Sequence, residues 1–250
     1  MKISLVTVTF NSRHTLYDTI NSVLQQTYPY IEYIIIDGAS TDNTVGVIKQ
    51  YEHDFNERLR WISEKDDGLY DAMNKGFSMA TGDVIGIINS DDVLADPAAI
   101  EKVVKCFERD ETIDAVYADL YYVAQNDISK IVRHWVSGEQ RSFAKGWHPA
   151  HPTFYVKKEI YHKYGTFDLD FKFAADFELM LRLIEKYHIK LHYLPEPLVR
   201  MRLGGRTSKN LSNIRKGNIE CINAFKKNNI PVSRFYPLFR LLPKLKQYFQ

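Results

Sequence analysis

Two adjacent carboxylates, Asp91 and Asp92, follow directly after an apolar strand pattern at 84–88 and an Asn-Ser step. Carboxylates beside a buried strand are unfavourable unless a positive group lies next to them. Mg²⁺ or Mn²⁺ with a bound diphosphate would supply that group, because these ions take one or two protein carboxylates and share their other positions with phosphate oxygens. The alternative is that the pair caps a turn before a helix that begins near Pro97.

Carboxylates also follow two earlier strand patterns. Asp37 ends the pattern at 31–36, and Asp66 and Asp67 follow the pattern at 61–64. The carboxyl ends of parallel strands meet at one edge of a sheet, where open α/β sheets bind ligands. A structural explanation needs a separate cap at each position, whereas one shared site explains them all. We therefore predict a common site for a nucleotide and a divalent cation.

The elements that must position these acids alternate between strand and helix. A β-branched strand pattern at 3–10 precedes an amphipathic helix, and the strand at 31–36 precedes a second helix at 43–51. This alternation predicts an α/β fold with a mostly parallel, Rossmann-like central sheet and right-handed crossovers. A dinucleotide site is not expected, because no Gly-x-Gly-x-x-Gly follows either strand.

Composition and charge narrow the class of protein further. A chain of 250 residues can form one large or two small lobes, and it contains no apolar run as long as a membrane span. The two cysteines, Cys106 and Cys221, lack metal-site spacing, which favours a reducing, cytoplasmic location. After Arg200, eleven lysines and arginines accompany one acid, although the net charge is only +2. A body with a basic tail differs from a uniformly basic nucleic-acid binder, so no nucleic-acid partner is expected.

Four motifs in order carry a family resemblance. They are Thr-Phe-Asn at 9–11, Ile-Ile-Ile-Asp-Gly-Ala-Ser-Thr-Asp at 34–42, Asp-Gly-Leu-Tyr-Asp-Ala-Met-Asn-Lys-Gly at 67–76 and Asn-Ser-Asp-Asp at 89–92. The set resembles the family 2 glycosyltransferases of GT-A fold, in particular the branch that builds bacterial surface polysaccharides. The resemblance extends from residue 3 to about residue 205, and it implies transfer of a sugar from a nucleoside-diphosphate donor.

The resemblance also implies roles for individual residues. Thr9 and Asn11 would hold the nucleotide base, and Asp37 would accept a hydrogen bond from it, as in uridine-binding members. Asp91 would bind the ribose, and Asp92 would ligate the Mn²⁺ or Mg²⁺ that bridges the diphosphate. The remaining expected donor-pocket residues are Asp67, Asn74 and Lys75.

Two positions depart from the family pattern. Many relatives have a second acid after Asp37, where this chain has Gly38, and many have an arginine where this chain has Met73. A UDP-sugar is the favoured donor, but these departures leave the choice of base open.

Asp176 is the most informative acid of the second half. It precedes an apolar helical stripe and therefore begins a helix, where aspartate is a common cap. The segment at 174–179, Ala-Ala-Asp-Phe-Glu-Leu, resembles the family's Ala-Asp-Tyr-Glu-Leu, whose aspartate is the catalytic base of inverting members. A helix amino terminus also favours the ionised carboxylate that a base requires. Glu178 is the second candidate for this role.

Three other segments have open alternatives. The Gly-Trp-His-Pro-Ala-His-Pro loop at 146–152 fits an acceptor-sugar pocket or a buried aromatic cluster, and His151 could also reach the metal. Residues 191–198 resemble an edge strand interrupted by two prolines. The arginine- and glycine-containing segment at 200–208 fits a lid over the diphosphate or a basic linker.

The carboxyl-terminal region forms a basic, aromatic-rich tail. We divide the chain into a transferase domain at 1–205, with a nucleotide half up to about 110 and an acceptor half after it, and a tail at 206–250. Such a tail suits the anionic cytoplasmic face of a membrane, although its apolar residues could instead pack on the body.

The sequence therefore predicts an inverting, metal-dependent glycosyltransferase that acts on a glycan or lipid-linked acceptor in surface polysaccharide synthesis. A nucleotidyltransferase is the first alternative, but it would need a glycine-rich loop after the first strand, where this chain has none. A non-catalytic glycan- or membrane-binding module is the second, and it would not need Asp37, Asp92 and Asp176 together.

Overall fold

A computed structural model of the chain describes residues 1–204, 211–233 and 235–237. Its strands are β1 (Ile3–Thr9), β2 (Ile31–Asp37), β3 (Leu59–Ser63), β4 (Val84–Ile87), β5 (Val93–Leu94), β6 (Ala115–Ala124), β7 (Asp127–Trp135), β8 (Tyr155–Lys157) and β9 (Leu191–Arg202). Its α-helices are α1 (Leu16–Leu24), α2 (Thr44–Tyr51), α3 (Leu69–Met79), α4 (Ala99–Arg109), α5 (Lys158–Tyr164), α6 (Ala175–Leu181) and α7 (Leu211–Lys227). Two 3₁₀ turns lie at Phe143–Lys145 and His151–Thr153, and a π-helical stretch at Arg182–Lys186 extends α6.

The strands form one sheet in the order β3-β2-β1-β4-β8-β6-β9-β5, and β7 pairs with β6 beside this path. The first four strands of that order are parallel, which confirms the mostly parallel sheet predicted for the first half. Thr9, Asp37 and Ser63 lie in register across β1, β2 and β3. The predicted carboxyl edge therefore exists, and it aligns the loops that follow these strands.

The sheet is covered by helices on both faces. Alternate residues of its buried strands point to opposite sides and belong to two separate cores. Val6, Ile34 and Ile36 belong to the core on the side of α3, α5 and α6. Leu5 and Ile35 belong to the core on the side of α1, α2 and α4. This arrangement explains why every residue of β1 and β2 is buried.

Helix α3 lies unusually close to the sheet at Gly76. A Cβ atom at this position would lie 2.3 Å from Cγ1 of Val6, so only glycine fits. The close approach fixes α3 against β1. This helix carries Asn74 and Lys75, two of the residues that the resemblance assigns to the donor pocket.

The strand predicted at 191–198 is present, and in the described part of the chain residues 191–197 pair with β6 only, as expected of an edge strand. Pairing with β5 is added further along, at Val199 and Arg200. The strand, β9, continues to Arg202. Register shifts opposite Pro197 accommodate the prolines. Arg200 and Arg202 therefore lie in a paired strand rather than in a lid, and residues 205–208 of the predicted lid lie outside the described residues.

The described part of the tail packs against the body of the protein. Cys221, Ala224 and Phe225 of α7 and Tyr236 beyond it are fully buried in the core on the α6 side. Ile214 and Ile219 of α7 are exposed, at 42% and 48%. Within the ranges given above, no helix is both long and apolar enough to cross a membrane.

Candidate active site

The loops after β1 and β2 are joined by hydrogen bonds. Oδ1 of Asn11 accepts a bond from the backbone N–H of Thr41 at 2.9 Å, and the backbone N–H of Asn11 donates to Oγ of Ser40 at 2.7 Å. Asn11 has a φ of 51°, in the left-handed region that asparagine tolerates better than most residues. Oγ1 of Thr9 is buried and has no hydrogen-bond partner in the described part of the chain. Asn11 thus shapes the rim of the predicted pocket, and Thr9 retains an unpaired polar atom beside it.

Asp37 is completely buried and strongly hydrogen-bonded. Its carboxylate accepts bonds from the N–H of Ser40 at 2.9 Å, from Oγ of Ser40 at 2.5 Å and from Oγ of Ser63 at 2.6 Å. Asp37 therefore connects the ends of β2 and β3. A nucleotide base would share this carboxylate with three protein donors, so the predicted bond to a base stays a prediction.

The β3 loop brings further acids to the same edge. Nζ of Lys75 lies 2.6 Å from Asp66 and 2.7 Å from Glu64, and these hydrogen bonds raise the pKa of Lys75. Asp67 is exposed. A side chain at Gly38 would begin 3.1 Å from Oδ2 of Asp66, so the acid that many relatives carry there would crowd Asp66.

Asn74 has a different position from the one expected of a donor-pocket residue. Its Nδ2 donates to the carbonyl of Phe167 at 2.9 Å, and its Oδ1 accepts the N–H of Phe167 at 3.0 Å. The side-chain amide therefore binds both backbone groups of one residue in the acceptor half. In this structure Asn74 connects the two halves.

The Asp91–Asp92 step lies beside the β1 loop, since the hydroxyl groups of Ser12 and Ser90 are 3.1 Å apart. Asp92 is only 1% exposed, and its carboxylate accepts Nδ2 of Asn89 at 2.8 Å and the N–H of Arg202 at 3.2 Å. Asp91 is half-buried. Burial raises the pKa of Asp91, and burial together with the neighbouring Asp91 raises the pKa of Asp92 well above its usual value. Asp91 is thus the more accessible carboxylate, while Asp92 anchors the turn.

Arg202 fixes this turn from β9. Its guanidinium donates to the backbone carbonyl of Asp91 and to the carboxylate of Asp18 in α1, the latter at 2.5 Å. Arg202 is 8% exposed, and its Nε has no partner among the described residues. The arginine therefore connects α1, β9 and the acid pair.

The residues present fit a divalent cation of the hard, oxygen-binding kind. The described ranges contain no cluster of three or more His, Cys, Asp or Glu side chains that could hold a metal ion. An accessible Asp91 beside a buried Asp92 offers carboxylate oxygens, and diphosphate and water would complete the coordination, as Mg²⁺ prefers.

Asp176 lies in the first turn of α6 and contacts the nucleotide half through α3. Oη of Tyr70 donates to Oδ1 of Asp176 at 3.1 Å. The ring of Tyr70 lies 5.4 Å from that of Phe167, which also packs edge-on against His151 at 5.7 Å. Burial lowers the pKa of His151, and the charge of Asp176 only partly opposes this effect. His151 is thus near enough to Asp176 to be affected by its charge.

Glu220 of α7 caps the turn before Asp176. Its carboxylate accepts the backbone N–H groups of Lys172 at 3.1 Å, Phe173 at 2.8 Å and Ala174 at 2.9 Å. These groups belong to the turn at the start of α6, so Glu220 supplies the negative charge that a helix amino terminus favours. Because Glu220 caps this turn, the carboxylate of Asp176 can make other contacts.

Glu178, the second candidate for a base, has a structural environment. It is 1% exposed and pairs with Nε of Arg182 at 2.9 Å and with Nδ2 of Asn228 at 2.9 Å. Arg182 in turn donates to carbonyls of the segment at 164–166. A carboxylate so enclosed is poorly placed to take a proton from a substrate.

The aromatic loop contributes mainly to packing. Nε1 of Trp147 donates to the carbonyl of Ser137 at 2.8 Å, and its ring packs edge-on against Tyr117 and Phe143. His148 packs against Trp135. For Trp147 the structure supports the buried aromatic cluster rather than an open sugar platform.

Sequence reasoning missed Tyr70 and Glu220 as contributors to the site, and it placed Arg202 in a lid or linker rather than in a strand beside Asp91 and Asp92. Tyr70 lies inside a quoted motif, which was the available signal. Arg202 binds Asp18, which is 184 residues away, and Glu220 binds the N–H of Ala174, which is 46 residues away. No local sequence pattern marks such distant partners.

The fold is that of known glycosyltransferases. The mannosyltransferase PcManGT from Pyrobaculum calidifontis, solved in complex with GDP-Man and Mn²⁺, matches with a TM-score of 0.69 and 16% identity over 99% of this chain and 69% of that one. S. aureus TarS 1–349 in complex with UDP matches with a TM-score of 0.61 and 16% identity over 89% of this chain and 66% of that one. At these identities the similarity establishes the fold, which is GT-A, and confirms the predicted fold class.

Sequence comparison identifies the family. The profile of glycosyl transferase family 2 matches residues 4–173. An uncharacterized glycosyltransferase of Mycobacterium tuberculosis is 32% identical over 184 residues, which cover 72% of this chain and 68% of the relative. A PGL/p-HBAD biosynthesis glycosyltransferase of Mycobacterium bovis is 24% identical over 198 residues, covering 76% of this chain and 73% of the relative. The chain belongs to glycosyl transferase family 2 and is a glycosyltransferase, as its ordered motifs indicated.

Proposed function

We propose that the protein transfers a sugar, with inversion at the anomeric carbon, from a nucleoside-diphosphate donor to an acceptor hydroxyl. The observation that supports this most strongly is the convergence of strand-end loops at the carboxyl edge, with Asp176 joined to them through α3. The structural neighbours bind UDP, UDP-GlcNAc or GDP-Man with Mn²⁺, which is consistent with a nucleotide-sugar donor here. A UDP-sugar remains the favoured donor, and a glycan or lipid-linked acceptor of surface polysaccharide synthesis remains the favoured acceptor.

A Mn²⁺ or Mg²⁺ ion would bind at the Asp91–Asp92 step and supply Lewis-acid stabilisation of the departing diphosphate. The sequence assigned the metal to Asp92 and the ribose to Asp91. The burial of Asp92 favours the opposite assignment, with Asp91 facing the ion and Asp92 holding the turn. Arg202 keeps the backbone of Asp91 in place.

Asp176 acts as the general base. It takes the proton from the acceptor hydroxyl while that oxygen forms a bond to the anomeric carbon. The bond from the anomeric carbon to the diphosphate breaks on the opposite face, and the nucleoside diphosphate leaves with the electron pair. No covalent intermediate with the protein is needed.

Asp176→Asn tests this function. A screen of UDP-sugars and GDP-mannose for Mn²⁺-dependent thermal stabilisation first selects a donor, and release of its nucleoside diphosphate is then followed. Removal of a general base is expected to lower turnover by about 10³-fold, while Mn²⁺-dependent donor binding by calorimetry is unchanged. Turnover of Asp176→Asn at the wild-type rate would contradict the assignment of the base.

We also propose peripheral contact of the carboxyl-terminal region with an anionic membrane surface. The basic excess after Arg200 and the alternation of basic with aromatic and leucine residues in the sequence after Ser233 support this proposal. Cosedimentation with vesicles containing anionic lipid should be stronger for the full chain than for a chain that ends at Ser233. Equal pelleting of the two would contradict it.

A further inference from the structure

Tyr70 is the side chain of α3 that reaches the proposed base. It is 7% exposed, and its hydroxyl donates to Oδ1 of Asp176 at 3.1 Å. Burial, and then the charge of Asp176, raise the pKa of Tyr70 well above its usual value. The phenol therefore keeps its proton over the whole range in which enzymes work, and it acts as a hydrogen-bond donor to the carboxylate.

The position of Tyr70 is fixed from two sides. Its ring packs against Phe167, with 5.4 Å between the centroids. Asn74, one helical turn further along α3, binds the N–H and the carbonyl of the same Phe167. Residues four apart share one face of a helix, so Tyr70 and Asn74 together attach α3 to the segment that precedes Asp176.

The other groups that face Asp176 are less suited to orient it. His151 is near enough to be affected by its charge, but burial lowers the pKa of this histidine and so favours its neutral form. Glu220 of α7 carries a negative charge and is bound to the backbone of 172–174. Within α6, Glu178 is paired with Arg182. Tyr70 is the group among these that makes a direct donor contact with Asp176.

We propose that Tyr70 is a positioning residue for the base, which binds Oδ1 of Asp176 and thereby directs Oδ2 towards the acceptor hydroxyl. The hydrogen bond also stabilises the ionised carboxylate, the form that must exist before the proton is taken. This proposal depends on the proposed role of Asp176 as the base. Tyr70 itself transfers no proton.

The test replaces Tyr70 with phenylalanine, which keeps the ring and removes only the hydroxyl. In the full chain with ¹³C-carboxyl-labelled aspartate, the signal of Asp176 is assigned by its loss in Asp176→Asn. Its titration midpoint is expected to move to higher pH in Tyr70→Phe. Turnover of the donor chosen above should fall about tenfold, in line with the loss of one hydrogen bond to a charged group, while Mn²⁺-dependent donor binding is unchanged.

Tyr155→Phe is the matched control. Tyr155 is also fully buried, but its hydroxyl has no hydrogen-bond partner among the described residues. Its removal should change neither the titration nor the turnover. Melting temperatures of the variants show whether each is folded.

The outcomes separate this proposal from the proposed function. An unmoved Asp176 midpoint in folded Tyr70→Phe overturns the role of Tyr70, and so does a loss of donor affinity that accounts for the fall in turnover. Wild-type turnover in Asp176→Asn instead overturns the base itself, whatever the tyrosine variant shows.

Discussion

Buried or half-buried acids at the two edges of the parallel sheet, Glu32 at one and the Asp91–Asp92 pair at the other, have opposite surroundings. At the amino edge, Glu32 is 4% exposed and accepts hydrogen bonds from Ser4 at 2.7 Å and from the N–H of Thr81 at 2.8 Å. Lys2 and Arg60 form ion pairs with the same group. Burial alone would raise the pKa of Glu32, but the hydrogen bonds outweigh burial and lower it to about 2.

At the carboxyl edge, Asp91 and Asp92 have raised pKa values, because burial acts on both and Arg202 only partly opposes it. The amino edge therefore uses its carboxylate for stability. The carboxyl edge keeps two adjacent acids at a cost in stability, as is common where a protein binds a charged ligand.

The largest expected effect concerns the carboxyl edge. Asp91→Asn removes the more accessible carboxylate and should weaken Mn²⁺-dependent donor binding by about 100-fold, the upper range for loss of a metal-site group. In metal-free buffer the same change relieves repulsion between neighbouring acids, so the melting temperature should rise by about 2–4 °C. Calorimetry and thermal unfolding measure the two quantities.

Asp92→Asn is the comparison variant. Asparagine can still accept one of the two hydrogen bonds that hold the turn, so donor binding should weaken less than in Asp91→Asn. If donor binding loses its dependence on Mn²⁺ in Asp92→Asn and keeps it in Asp91→Asn, the metal ligand is Asp92, as the sequence indicated. The assignment of the ion to Asp91 is then wrong.

A smaller effect, on stability alone, is expected at the amino edge. The lowered pKa of Glu32 means that its ionised form stabilises the folded state above the unfolded value of 4.5, and that this contribution disappears as the pH falls towards 2. Glu32→Gln should therefore lower the free energy of unfolding at pH 7 by about 2 kcal/mol. The difference from wild type should shrink between pH 4.5 and pH 2.

Urea unfolding across this pH range measures the effect, with Glu111→Gln at an exposed position as the control. Donor binding should be unchanged in folded Glu32→Gln. A pH-independent difference would mean that packing, not charge, accounts for the loss.

The nucleotide half could be read from the sequence because its site is built from consecutive strand ends. Thr9 and Asp37 end β1 and β2, and Asn11 follows β1. The parallel register of the two strands is enough to bring these residues to one edge of the sheet. The sequence could not show which of the two carboxylates, Asp91 or Asp92, is the more accessible. Asp92 is held by the backbone of Arg202, which lies more than a hundred residues away.

The acceptor half could be read only in part. The motif identified Asp176, but its environment comes from Tyr70 in α3 and Glu220 in α7. The two prolines correctly marked 191–197 as an edge, but they gave no sign that β9 continues to Arg202 and pairs with β5 at Val199 and Arg200. Asn74 belongs to the motif at 67–76, but its side-chain amide binds the backbone of Phe167 and so connects the two halves.

The cap provided by Glu220 has a consequence for how this enzyme can be shortened. The family profile ends at residue 173, three positions before Asp176, and the cap lies in a helix that begins at Leu211. A fragment cut at the profile boundary would keep Asp91 and Asp92 but lose both Arg202, which holds their turn, and Asp176, the proposed base. A fragment cut before α7 would keep Asp176 but lose the carboxylate that satisfies three backbone N–H groups in the turn before it.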